Sequence, residues 1–182
     1  MPDAAVLTLA LGFQDRVECY KRMKDLNNSL VHPMEIYLTY WDVLKRSFQW
    51  IWKMNFHPFL IKGKLNWMGH EITPFFRELI SFGGFRITFF QALQFDVAKR
   101  LGEKYQIQAC LMTYEGRPWE RFFIAGLKKA NMNTIIIGCQ HTVIPISAAD
   151  MFTHPKELEF IPLPDKILTT GVLPKKILER YG

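Results

Sequence analysis

Two short apolar segments in the second half of the chain constrain the fold more than any other feature of the sequence. QIQACLMT at 106–113 and NTIIIGCQ at 133–140 have the length and composition of buried strands, and a helical pattern over Pro118–Ala130 separates them. A strand, a helix and a strand at this spacing form a βαβ unit, whose crossover makes the two strands parallel. The sequence therefore predicts a parallel sheet rather than an antiparallel one.

A third apolar run, DKILTT at 165–170, extends this pattern. Gly171 follows it, and Pro174 then opens a terminal helix. The order β, α, β, loop, β, α predicts a small parallel sheet within residues 105–182. Ligands of such sheets collect at the carboxyl ends of the strands. The residues that follow the three runs are therefore the place to look for chemistry.

Residues 1–104 have a different pattern, and most of their length is predicted to be helical. Apolar residues spaced by three and four favour a helix from Pro33 to about Ile51. Thr73 and Pro74 suit the start of a second helix that runs to about Ser81, and a third is predicted from Ile87 to Leu101, where Gly102 ends it. The fold class predicted is α/β, a helical N-terminal layer followed by a small parallel sheet.

The net charge and the cysteine content limit the kinds of binding partner and of cellular compartment that suit this chain. The 182 residues contain 23 Lys and Arg against 17 Asp and Glu, a net charge of +6 that favours anionic partners. Three widely spaced cysteines indicate neither a disulfide framework nor a zinc site, and a reducing cytosol fits them best. No stretch approaches the ~18 apolar residues of a spanning helix, so membrane contact is expected to be peripheral.

Residues 44–67 combine basic and aromatic side chains without any acidic residue. Three interpretations fit this composition. The first is a helical layer whose aromatic residues pack in the core while the lysines face water. The second is an interfacial helix that meets an anionic membrane surface or a lipid-linked substrate. The third, a surface on which nucleic-acid bases stack, is the least expected of the three.

Polar residues follow the first predicted strand, in the segment TYEGRPWERFF at 113–123. Glu115 lies in the loop and could act as a general base toward a hydroxyl or bind a sugar hydroxyl. The alternative is a surface carboxylate that holds the loop or pairs with Arg117. Glu120 lies in the first helical turn, where the helix dipole gives it an ordinary structural explanation.

The second strand and the third strand also end in polar residues. Gln140 and His141 close the second, where histidine can donate to phosphate or exchange protons and glutamine can bind a sugar or phosphate oxygen. The alternative for His141 is a side chain satisfied by nearby backbone. After the third strand, the segment TTGVLPKK at 169–176 offers hydroxyls and a helix N-terminus as an anion-binding edge, or else merely two solvated lysines.

The blocks YEGRPWERFFIAGLKKA, IIIGCQHTVIP and LPDKILTTGVLPKKILERYG resemble three consecutive blocks of bacterial surface-carbohydrate biosynthesis proteins. Those proteins are similar to GT-B glycosyltransferases related to Kdo, capsule polysaccharide and glycerophosphate transferases. The resemblance covers residues 105–182 and implies a Rossmann-like α/β region that is half of a GT-B architecture. It also implies that the chain ends at the linker into a second, nucleotide-sugar-binding domain.

The resemblance assigns roles to particular residues. Glu115 and His141 correspond to catalytic positions, with Glu115 as the base toward the acceptor hydroxyl. A further set is implied to bind substrate: Arg117, Trp119, Glu120, Gln140, Thr170 and Gly171. The activity implied is transfer of a sugar from a nucleotide donor to a saccharide or lipid-linked acceptor without metal or cofactor, in the cytoplasm or at the inner face of the membrane.

Two further hypotheses remain open from the sequence. One is a non-catalytic module that docks on a membrane-bound polysaccharide assembly complex through residues 44–67. The other is a complete small enzyme that acts on a nucleotide or a sugar phosphate. Both transferase and small enzyme require the strand-end loops to share one cleft, so Glu115 and His141 are predicted to lie within about 10 Å of each other. Both side chains are expected to be unpaired, or bonded only to loop backbone.

Overall fold

The computed structural model describes residues 8–10, 31–60, 62–82, 84–141, 151–153 and 155–181, and its architecture is mixed α/β. The elements follow in chain order: strands β1 (Thr8–Ala10) and β2 (Val31–Pro33), a 3-10 helix (Met34–Tyr37), helix α1 (Tyr40–Leu60), strands β3 (Asn66–Trp67) and β4 (His70–Glu71), helices α2 (Thr73–Phe82) and α3 (Gly84–Tyr105), strand β5 (Ala109–Thr113), helix α4 (Pro118–Ala130), strand β6 (Ile135–Gln140), a second 3-10 helix (Pro155–Glu157), strand β7 (Lys166–Thr169) and helix α5 (Val172–Tyr181).

Strands β5, β6 and β7 form the predicted parallel sheet, in the order β5-β6-β7. The strands are shorter than the apolar runs that predicted them. The chain leaves α3 through Gln106, whose φ of 48° turns the backbone, so the ladder begins only at Ala109. At the start of β7, the Asp165 carboxylate accepts from the Ile136 backbone N–H at 2.7 Å and from the Lys128 ammonium at 2.8 Å. These bonds anchor β7 to β6 and α4.

One face of this sheet carries the core. Ile136 projects from β6 into a cluster with Ile124 and Leu127 of α4 and with Val97 and Leu101 of α3, and all five side chains are buried. Apolar spacing of three and four on each helix explains this packing, because it aligns these side chains in one stripe. Burial also raises the pKa of the Cys110 thiol on β5 to about 11.

Helices α3 and α4 approach each other closely at two glycines. A Cβ at Gly102 would lie 2.7 Å from the Cβ of Ala130, and one at Gly126 would collide with the Phe95 carbonyl oxygen. The prediction that Gly102 ends the helix is wrong, since α3 continues to Tyr105. Gly102 is inside the helix because close packing there leaves no room for a side chain.

The opposite face of the sheet is open to solvent. Leu111 of β5, Ile135 of β6 and Leu168 of β7 are 68%, 50% and 54% exposed. The registers place them on the face away from Ile136, because neighbouring residues alternate between the two faces of a sheet. Parallel sheets are ordinarily covered on both faces. Among the residues that the structure describes, helices cover this sheet on one face.

Helix α1 begins at Tyr40, seven residues after the predicted start. A capping box fixes this start, because the Asp42 carboxylate accepts from the Thr39 backbone N–H at 2.8 Å and the Thr39 hydroxyl accepts from the Asp42 N–H at 3.2 Å. The Thr-x-x-Asp spacing was available in the sequence. Residues Met34–Tyr37 form the separate 3-10 helix instead.

Helix α2 occupies the predicted range, whereas the hairpin before it was not predicted. Strands β3 and β4 pair antiparallel across Met68 and Gly69, whose φ values of 49° and 82° are typical of a tight hairpin turn. The Thr73 hydroxyl accepts from the Leu65 N–H at 2.7 Å, so this buried residue fastens the hairpin to α2. None of the helices that the structure describes is long and apolar enough to cross a bilayer.

The interpretation in which the aromatic residues of 44–67 pack in the core is wrong for three residues whose side chains are described, whereas Trp50 is half-buried and its ring centroid lies 6.2 Å from that of Phe89 in α3. Phe48, Trp52 and Trp67 are 68%, 56% and 63% exposed. The physical reason lies in α1, whose charged side chains face α3. Arg46 binds Asp96, and Asp42 binds Arg100, so the aromatic side of the helix is turned outward.

Candidate functional site

The carboxyl ends of β5, β6 and β7 lie at one edge of the parallel sheet, as the sequence predicts. Glu115 lies two residues after β5, His141 directly follows β6, and Thr170 directly follows β7. The topology thus brings together the three loops that were singled out, and we call this region the strand-end site.

Glu115 and His141 are in contact at the strand-end site. Oε1 of Glu115 lies 3.6 Å from Nε2 of His141, and Oε2 lies 3.6 Å from Nε of Arg117. The predicted separation of about 10 Å or less is confirmed. The expectation that both groups would be unpaired, or bonded only to backbone, is wrong. The loop bends so that the carboxylate lies between two side chains that can each carry positive charge.

Glu115, His141 and Arg117 differ in how far solvent can reach their side chains. The Glu115 side chain is 23% exposed, whereas those of His141 and Arg117 are more than half exposed. A ligand can therefore reach the imidazole and the guanidinium from solvent while the carboxylate stays in a fixed position. A carboxylate beside two potential cations can accept a proton or orient a hydroxyl, and the cations can hold an anionic group.

Glu120 holds the loop that carries Glu115. Its side chain is 1% exposed, and its oxygens accept from the backbone N–H of Glu115 at 2.9 Å and of Arg117 at 2.8 Å. Burial raises the pKa of Glu120, and the backbone donors oppose that shift. Gly116, with φ of 74°, lets the chain turn around the carboxylate. Glu120 is thus engaged with loop backbone, and its proposed role toward substrate stays a prediction.

Gln140 places a second buried polar group at the same edge. The side chain is 1% exposed, and its oxygen accepts from the backbone N–H and the hydroxyl of Thr170, both at 3.4 Å. Its amide nitrogen has no hydrogen-bond partner in the part of the chain that the structure describes. A buried donor without an acceptor costs about 1–3 kcal/mol, so an acceptor supplied by a ligand or a water would be favourable here.

Sequence reasoning missed the packing that fixes the end of β6. Tyr114 is 2% exposed and lies against Gly138, where an added Cβ would be 2.7 Å from the Tyr114 Cβ. The Tyr114 N–H also donates to the Cys139 carbonyl oxygen at 3.0 Å. This pair positions the backbone one residue before Glu115. The available signal was a glycine inside an apolar strand, which often marks a close approach.

The other predicted substrate-binding residues lie around the same edge. Trp119 is half-buried in the first turn of α4, while Thr170 and Gly171 are exposed between β7 and α5. The Thr169 hydroxyl donates to the Gly171 carbonyl oxygen at 3.0 Å, which closes this loop on itself. Across the described residues, no cluster of three His, Cys, Asp or Glu side chains could hold a metal ion.

No protein-family model, curated protein or solved structure matches this chain. The geometry of the strand-end site is therefore the observation that bears on function.

Proposed function

We propose that this chain is the acceptor-side portion of a GT-B-like glycosyltransferase of cell-surface polysaccharide biosynthesis. The observation that carries the proposal is the contact between Glu115 and His141 at the carboxyl edge of the parallel sheet. Polar groups at that edge are where α/β sheets bind their ligands. The resemblance of residues 105–182 to surface-carbohydrate enzymes selects sugar transfer among the reactions that such an edge can support.

In the proposed reaction, Glu115 acts as the base. Its carboxylate takes the proton from an acceptor hydroxyl as that oxygen forms a bond to the anomeric carbon of the donor sugar. The bond between that carbon and the nucleotide phosphate breaks, and the phosphate leaves with the bonding electrons. Arg117 supplies positive charge and His141 a ring N–H donor beside the acceptor or the leaving phosphate, and the amide nitrogen of Gln140 supplies a neutral donor.

Glu120 is a positioning residue in this proposal. It does not face the reacting atoms, because its oxygens bind the backbone of the loop. Its contribution would be to hold Glu115 at a fixed distance from His141. A small displacement of a reacting group can lower a rate by about two orders of magnitude, so a buried support of this kind matters to turnover.

Sugar transfer by matched variants tests the proposal. The wild-type protein, with this portion joined to a nucleotide-sugar-binding domain, is incubated with a panel of UDP-, GDP- and CMP-linked sugars and with alkyl glycosides as acceptors, and products are identified by mass. Glu115→Gln should lower the rate by about 100-fold or more at an unchanged melting temperature, since general-base catalysis contributes that much. Glu103→Gln is the control, because Glu103 is an exposed carboxylate near the C-terminus of α3. A wild-type rate in Glu115→Gln, or no transfer by wild type from any donor, would contradict the proposal.

A further inference from the structure

The outward side of α1 carries a continuous set of large apolar residues. At 100° per residue they lie within about 120° of the helix circumference. Each is more than half exposed, and Trp41, Phe48 and Leu44 are 72%, 68% and 60% exposed. We call this set the α1 aromatic face; its members are Tyr40, Trp41, Leu44, Phe48, Ile51 and Trp52.

The opposite side of α1 is fixed to α3 by charged groups. The Arg46 guanidinium binds the Asp96 carboxylate through two nitrogens, at 2.6 and 2.7 Å. Arg100 of α3 binds Asp42 at 2.9 Å. Rolling the helix to bury the aromatic face would break both ion pairs and leave their partners without counter-charges. The outward orientation is therefore held by specific bonds.

A set of exposed apolar side chains this large on one helix face indicates that a membrane or a protein partner covers it. Charge identifies which. Lys45 follows the α1 aromatic face by about 20° around the helix, and Lys62 and Lys64 are exposed before the hairpin. No acidic residue occurs between Asp42 and Glu71, and these two are paired with Arg100 and Lys64. A basic side chain, Lys45, therefore borders the face, and the acidic residue of α1, Asp42, is neutralised by Arg100.

Tryptophan and tyrosine beside lysine is the composition of a membrane-interface helix. Aromatic rings lie at the level of the lipid headgroups, while lysine stems lie along apolar surface and place the ammonium near anionic phosphates. The cores of protein interfaces share the aromatic enrichment but are depleted of lysine. We propose that the α1 aromatic face docks on the surface of an anionic lipid bilayer, with α1 lying in the plane of the interface.

This surface shares no residue with the strand-end site, so its test is independent of the glycosyl-transfer proposal. Purified protein is sedimented with vesicles of phosphatidylglycerol and phosphatidylcholine, and separately with vesicles of phosphatidylcholine alone. Wild type should partition at least tenfold more strongly onto the phosphatidylglycerol vesicles. Half-molar salt should weaken that binding, because screening reduces the attraction between lysines and lipid phosphates.

Two matched triple variants locate the binding surface. The first is Trp41→Ser, Leu44→Ser, Phe48→Ser on the α1 aromatic face. The second is Leu111→Ser, Ile135→Ser, Leu168→Ser, which removes three apolar side chains of similar exposure from the open face of the sheet. The α1 variant should lose at least tenfold in partitioning, and the sheet variant should stay within twofold of wild type. Circular dichroism checks that both remain folded, as substitutions at exposed positions should permit.

Several results would overturn the proposal. These are no binding of wild type to anionic vesicles at low salt, equal partitioning onto both kinds of vesicle, or equal losses in the two triple variants. Sedimentation velocity without lipid covers the remaining alternative. A wild-type dimer that the α1 variant converts to monomer would show that a second copy of the chain, and not a bilayer, covers this face.

Discussion

The two helical contacts of α3 differ in what holds them together. Toward α4, apolar residues and glycines interlock, and side chains such as Ala98 and Leu127 are fully buried. Toward α1, ion pairs and the ring contact of Trp50 with Phe89 make the contact, and the exposed large apolar side chains face away from it. Both α1 and α4 have an apolar stripe at helical spacing. The difference teaches that spacing identifies which residues share a face, whereas the neighbouring element determines where that face points.

The largest effect is expected when a charge on the buried face of the sheet is compared with a charge on its open face. Ile136→Asp places a charge in the core, and we expect it to cost at least about 4 kcal/mol of unfolding free energy, enough to prevent folding. Leu111→Asp is the matched substitution on the open face, where the charge stays in water. Its cost should stay within about 1 kcal/mol, mainly from the poor strand propensity of Asp. Circular dichroism tests whether Ile136→Asp folds and urea unfolding measures the cost of Leu111→Asp, and failure of both variants to fold would show that the open face is buried.

A smaller effect is expected where α3 and α4 touch. Gly126→Ala introduces a methyl group into a space occupied by the Phe95 carbonyl and the Ala98 side chain. The helices must separate to admit it, and we expect a loss of about 1–3 kcal/mol even though alanine favours helix more than glycine. Thermal unfolding followed by circular dichroism provides the measurement. A stabilised variant would mean that the helices are not in close contact.

The smallest effect concerns the charged contact of α1. Burial alone would raise the pKa of Asp42, but hydrogen bonds from Arg100 and Thr39 outweigh it and hold that pKa at about 2. A carboxyl whose pKa is lowered by folding adds stability above its ordinary pKa of 3.8 and loses it as the pH falls through 2. Because Arg100 is partly exposed, the pair should contribute no more than about 1 kcal/mol.

Melting temperatures of wild type and Asp42→Asn between pH 6 and pH 3 measure this contribution. Asparagine keeps an acceptor for the Thr39 N–H, so the variant removes the charge and retains the cap. Wild type should melt higher at pH 6, and the gap should narrow toward pH 3. A gap that stays constant over this range would assign the stability to the cap and not to the ion pair.

Much of the α/β half could be predicted because its local patterns and its tertiary contacts agree. Helix α4 begins at the predicted Pro118, and the βαβ pattern accounts for the parallel pairing of β5 with β6, to which β7 adds in the same direction. The same rule placed Glu115 beside His141. The residues that support them were harder to predict. Burial of Glu120 under its own loop depends on Gly116 and the turn, which no periodicity encodes.

The α1 region was harder to predict because its local pattern and its contacts disagree. Six apolar residues at helical spacing ordinarily indicate a face packed in a core. Here the partners are Asp96 and Arg100, which lie 50 and 58 residues further along the chain than Arg46 and Asp42 and attract the polar side instead. A pairing over that separation is invisible to a local pattern. The same holds for Gly102, whose place inside α3 depends on Ala130 of the next helix.

Our central claim is that sugar transfer takes place at the strand-end site and that the α1 aromatic face binds the protein to an anionic membrane. Initial rates of sugar transfer, measured with this portion joined to a nucleotide-sugar-binding domain, test both parts when one acceptor sugar is offered as a short alkyl glycoside in solution and as a long-chain lipid glycoside in anionic vesicles. Glu115→Gln should lose transfer to both acceptors. The Trp41→Ser, Leu44→Ser, Phe48→Ser variant should keep the wild-type rate on the soluble acceptor and lose at least tenfold on the vesicle acceptor. Wild-type rates in Glu115→Gln, or equal losses of the α1 variant on both acceptors, would contradict the claim.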